Sequence, residues 1–222
     1  MSVHHPHLRK VLHLSMLRGG ALDRELRKDI GETLRREDGN SGGGPDFHSP
    51  FWADAKAFVF SDADLRAATE ERIERNERRE RLYRLLVQRF LGWWTPFRAS
   101  RNEPIRPFQE ELRGSFILPP DDTQVKIQNL LNISAGANYH RFIYPYFTEG
   151  PALNDEVAAF GLAGLREAFP DYDPDCFVIL DILRSRDYRF SNTDVPQDSL
   201  EQLGARYQQI LRRWGTLRLD YD

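Results

Sequence analysis

Asp181 is an acid in an apolar setting. It lies inside the run Phe177-Val178-Ile179-Leu180-Asp181-Ile182-Leu183, where an ionised carboxylate is costly unless it is hydrogen-bonded, paired, metal-bound or protonated. Arg141, Arg184 and Arg186 are the candidate partners. Glu149, beside Gly150-Pro151, either caps the next helix or belongs to a site at the C-terminal end of the preceding strand. That strand carries Tyr144-Pro145-Tyr146. Residues two apart on a strand share a face, so the tyrosines either flank a ligand cleft or pack as core aromatics against Phe90 and Trp93. Arg184 is a further ligand-binding candidate.

Other chemistry finds less support in the residues. His4, His5, His7 and His13 have no carboxylate placed to complete a metal site. The lone Cys176 excludes an internal disulfide and a cysteine-based zinc site within one chain, and it reads as a small buried hydrophobe. There is no Walker loop, G-x-G-x-x-G, G-x-S-x-G or H-E-x-x-H motif. The arginines at 72, 75, 78, 79 and 81 alternate with glutamates, the pattern of a solvated helix face rather than a nucleic-acid contact. The net charge of -3 gives no general pull towards nucleic acid or an anionic membrane.

The elements that must position these groups are read from periodicity. From Val125 to Ile133 apolar residues alternate with polar ones, except at Asn129 and Leu130, as in a half-buried strand. Residues 134–138 supply the glycine and asparagine of a tight reversal, and Tyr139 to Phe147 returns as a strand apolar on both faces, its pairing ending near Pro145. Further strands are expected at 113–118 and 176–184. One long helix is expected from Asp62 to Trp94, one from Asn154 to Phe169, and one opened by Asp198. The small residues of the second would let it approach a sheet closely.

The expected fold is therefore α/β, with mixed α+β as its near relative: a small mixed sheet of about four strands wrapped by helices. A helical arm over residues 1–38 precedes it, joined through a Gly/Ser-rich linker at 39–45 to a main domain at 46–222. His13 and Ser15 interrupt the apolar stretch that a signal peptide would need, and no run approaches the roughly 20 apolar residues of a membrane span. A cytoplasmic protein is expected.

In order of elements, residues 113–214 resemble the PD-(D/E)XK, or restriction-endonuclease-like, nuclease superfamily. That resemblance implies one carboxylate on a strand and an acid-x-lysine on the next, the acids holding Mg or Mn and the lysine steadying water or phosphate. Here Tyr144-Pro145-Tyr146 stands in place of acid-x-lysine. A displaced site would have to draw on Asp122, Glu149 and Asp181 as metal ligands, with Lys126, Glu149 and Asp181 as the catalytic candidates. The expectation is a non-catalytic, nuclease-like binding or accessory module, with a protein or nucleic acid as partner and no membrane. A metal-dependent nuclease is the alternative.

Overall fold

The computed structural model describes residues 2–39, 48–108, 111–136 and 139–221. Its centre is strand β5 (Tyr139–Tyr146). This strand pairs antiparallel with β4 (Leu131–Ala135) on one side and parallel with β6 (Phe177–Asp181) on the other. Outside these lie two short antiparallel edge strands, β1 (Ile105–Pro107) against β4 and β7 (Arg186–Tyr188) against β6, giving the order β1-β4-β5-β6-β7. A separate two-stranded sheet joins β2 (Gly114–Leu118) to β3 (Thr123–Ile127).

The period-two alternation of β5 explains why helices cover both faces of the sheet. Phe142, Tyr144 and Tyr146 enter one core together with Phe177 and Ile179 of β6. Ile143 enters the other with Val178 and Leu180. The first core is filled by α1 (Leu8–Met16), α2 (Gly19–Glu37), α6 (Asp155–Ala168), α7 (Ser199–Arg218) and the β2–β3 pair. The second is filled by α3 (His48–Phe60), α4 (Leu65–Arg75) and α5 (Glu80–Ala99). Each fully buried Leu or Phe in these layers contributes about 1.5–3 kcal/mol relative to exposure, so neither layer is an optional cover.

The α/β expectation agrees with this architecture, and the differences lie in the joins. The stretch 124–133 is not one strand: it divides at Gln128-Asn129-Leu130, where Asn129 has φ +65°. The two halves enter different sheets, so the strand expected at 113–118 pairs outside the central sheet. The expected long helix also breaks, because the Asn76 side chain accepts a hydrogen bond from Arg78 N–H and starts a short 3-10 turn before α5. The 176–184 strand stops at Asp181 in another 3-10 turn over 182–184. Nor is the N-terminal segment an arm set apart. Leu8, Val11, Leu12, Leu26 and Ile30 are fully buried in the same core as the sheet. Apart from Gly39, the 39–45 linker falls outside the described residues.

Close approach is built into α6 and α7. A Cβ on Gly164 would come within 2.7 Å of the Phe116 ring, and one on Gly204 would overlap the Pro119 carbonyl oxygen. Gly215 in the same helix as Gly204 faces open space. Gly204→Ala should therefore destabilise the protein by about 1–3 kcal/mol or more, despite better helix propensity. Gly215→Ala should stabilise it by about 1 kcal/mol. Urea unfolding of the two variants checks this pair, and two changes of the same sign would refute the packing account.

Candidate functional site

Pairing of β5 to β4 ends at Ile143, whereas pairing to β6 continues to Tyr146. Pro145 thus sits where one ladder has already stopped. Beyond that point the 128–130 segment diverges from β5, and the end of the strand is closed instead by α3 and the start of α1. Three contacts fix this closure. Arg9 N–H donates to the Tyr144 hydroxyl at 2.8 Å, Lys126 N–H donates to the Pro6 carbonyl at 2.9 Å, and the Trp52 indole N–H donates to the Asn129 carbonyl at 2.6 Å. His7, the residue before α1, makes no side-chain cap. The tyrosine hydroxyl instead takes up one of the free N–H groups of the first turn.

Between these elements lies a cavity of about 340 Å³. Its titratable lining includes Arg9, Lys56 and His7, without a carboxylate. Burial lowers the Lys56 ammonium pKa from its ordinary value, with Glu111 opposing and Arg113 adding to the effect. Burial also lowers the His7 imidazole, followed by the charges of Lys126 and Arg9. A second cavity of about 540 Å³ shares Arg9 and Phe147 with the first and carries both signs of charge, including Lys28, Glu25, Glu32 and Glu149.

The residues singled out in the sequence divide into two places. Asp181 is 1% exposed. It accepts from Leu153 N–H at 3.3 Å and from Arg184 Nη1 at 3.5 Å. Burial raises its carboxyl pKa, opposed by Arg184 and the Leu153 N–H. Of the three proposed arginine partners, Arg184 is the one that meets it. Arg186 pairs with Asp155 at 2.5 Å, and Arg141 lies over the Tyr139 ring. Arg184 also donates to the Thr148 and Glu149 carbonyls, holding the turn after β5 against the end of β6. The Glu149 carboxylate points away, to Arg81 at 2.6 Å. Tyr146 is fully buried beside Thr148, Asp181 and Arg184, and burial pushes its hydroxyl pKa up to about 12.

Asp122 and Lys126 do not join this group. Asp122 is exposed in the β2–β3 turn with φ +50°, and Lys126 lies on β3, bridged to His7. The neighbouring Asp121 faces α7, where Gln208 donates to it at 3.0 Å. Among the described residues no three His, Cys, Asp or Glu side chains come together in a way that could hold a metal ion. Asp122, Glu149 and Asp181 therefore do not fit a divalent-cation site.

Tyr144 and Tyr146 do share a face, but it is not the face of Phe90 and Trp93. They belong to the α1, α6 and α7 side, while Phe90 and Trp93 lie across the sheet with Ile143. Tyr144 is 4% exposed yet borders the cavity, so it is both core aromatic and cleft wall. The cations of the cleft were not legible as a site because positions 7, 9 and 56 are far apart in the chain. Lys56 offered one local signal, being a lysine within the apolar helix Phe51-Trp52-Ala53-Asp54-Ala55-Lys56-Ala57-Phe58.

The chain matches no known protein family, and no curated protein or solved structure shows significant similarity to it.

Tyr144→Phe should cost about 1–2 kcal/mol, the range of a lost helix cap, because the Arg9 N–H loses its acceptor. Chemical denaturation measures it, and an unchanged midpoint would remove the capping role. The histidines bring a pH dependence as well. His13, like His7, is held below the ordinary 6.5, by burial first, with Glu25 opposing and Lys28, Arg9 and Lys10 adding. The unfolded chain takes up these protons before the folded one, so stability should fall as pH drops below about 6.5. Melting at pH 7.5 and 5.5 should show the loss, and His7→Asn with His13→Asn should reduce it.

Proposed function

We propose that this chain is a non-cleaving binding domain of nuclease-like element order, whose ligand seats in the cleft at the end of β5. One observation carries the reading. Asp122, Glu149 and Asp181 lie apart, the last two held by Arg81 and Arg184, whereas the cleft wall includes His7, Arg9 and Lys56. Asp181 and Arg184 act on the fold, tying the turn after β5 to β6 and to the start of α6. The antiparallel β4–β5 pair, the α6 crossover and the parallel β6 support the nuclease-like likeness, while Tyr144-Pro145-Tyr146 supplies no metal ligand. The ligand of such a cleft is negatively charged, because an opposite charge offsets the cost of bringing Arg9 and Lys56 together where no carboxylate lines the wall.

The test uses the full chain with single- and double-stranded DNA and with RNA, in the presence of magnesium or manganese. No cleavage is expected, and Asp181→Asn should lower the melting temperature. Metal-dependent cleavage by the wild type that is abolished in a folded Asp181→Asn variant would replace this reading with the nuclease alternative.

A further inference from the structure

Positive charge reaches the cleft from two elements, and no carboxylate lines it among the described residues, Glu111 acting on Lys56 from outside the lining. Arg9 enters from α1 and Lys56 from α3, and among the described residues neither forms an ion pair. His7 lies beside Arg9 at the start of α1. Both α1 and α3 begin at the cleft, and neither has an acid in its first turn. A helix N-terminus adds roughly half a positive charge to such a place. Such an arrangement in a chain of net charge -3 is local.

Resting on the binding reading above, we infer that the cleft takes a phosphate monoester, with its terminal phosphate among Arg9, Lys56 and His7. A monoester carries about -1.5 to -2 charges at neutral pH, which matches Arg9 and Lys56 beside two helix ends better than a single carboxylate does. Size agrees: about 340 Å³ lies at the small end of ligand sites. The adjoining cavity argues against a continuous phosphodiester backbone. A chain leaving past Arg9 and Phe147 would meet Glu25, Asp29, Glu32 and Glu149 interspersed with Lys10 and Lys28, a lining with no excess of positive charge to track a backbone, so the phosphate is terminal. The monoester could belong to a free small molecule or to the end of a nucleic-acid strand, and the two are separable.

The experiment measures binding by the full chain, through thermal shift and calorimetry, to five probes: inorganic phosphate, a nucleoside 5′-monophosphate, the unphosphorylated nucleoside, and a short single strand with either a 5′-phosphate or a 5′-hydroxyl. Saturable binding of phosphate and the monophosphate, but not the nucleoside, is expected. Lys56→Met and Arg9→Met should each weaken binding by about tenfold or more, the loss of one charge-assisted contact. Lys56→Gln provides a second variant if either methionine substitution lowers the unliganded melting temperature. A small-molecule source is indicated if the monophosphate binds at least as well as the phosphorylated strand, and a strand-end source if the reverse holds. Absence of saturable binding to every phosphorylated probe overturns the inference, as does wild-type affinity in a folded Lys56 variant. Equal binding of the two strands without binding of the monophosphate also overturns it, in favour of backbone recognition. Cleavage of nucleic acid would instead defeat the non-cleaving reading, whatever the phosphate results.

Discussion

A strand paired on both edges and buried on both faces must divide its side chains between two separate cores, and β5 imposes this constraint on everything around it. Phe142, Tyr144 and Tyr146 require one helical layer; Ile143 requires another. Because β4 pairs with β5 through a short reversal and β6 pairs through a helical crossover, both long-range joins meet on this strand. The stagger of its two ladders along the strand then creates an opening in the middle of the fold. Where β4 has stopped and β6 has not, the wall must come from non-adjacent parts of the chain.

Buried polar groups hold those parts in register. Asp29 of α2 is paired with Lys10 of α1 and accepts from the Trp214 indole N–H of α7 at 2.9 Å. Tyr207 of α7 donates to the Val3 carbonyl at 2.8 Å. A buried carboxylate with several partners adds little net stability by itself, but it penalises any arrangement that leaves it alone. These contacts therefore fix the placement of α1 more than they strengthen it. Arg184 serves the same purpose on the other side of the strand end, where one guanidinium spans Asp181 and two main-chain carbonyls.

Much of this was legible in the sequence wherever the signal was local. The reversal after β4 includes Gly136 at φ +59°, and Asn154 caps α6 through Val157 N–H at 2.9 Å. The small residues of α6 do meet the sheet and β2 closely. The irregularity at Asn129 and Leu130 was visible too, but alternation on either side of it reads the same whether the strand continues or changes sheet. Asn76 shows the same limit: charge pairs spaced four apart favour a continuous helix, and the side-chain acceptor that breaks it outweighs pairs that each contribute only a few tenths of a kcal/mol. Docking of α1 and α2 was not legible, because an amphipathic helix looks alike beside a core and apart from one. With α1 misplaced, His7 and Arg9 could not be brought to Lys56.

The bond between Tyr207 and Val3 spans 204 positions of the chain, and this has a consequence for how the protein matures on the ribosome. Helix α1 is made before the elements it packs against, with Leu8, Val11 and Leu12 ready for burial. Its principal partners, α6 and α7, are made only after the central strand β5. Until then that apolar stripe has no native surface to meet, so the nascent chain depends on delayed, non-local closure and is exposed to misassembly in the interval. The cleft shares this timing. Arg9 and His7 ride on that first segment and Lys56 does not, so the chain acquires a charged pocket only at the moment the whole fold closes.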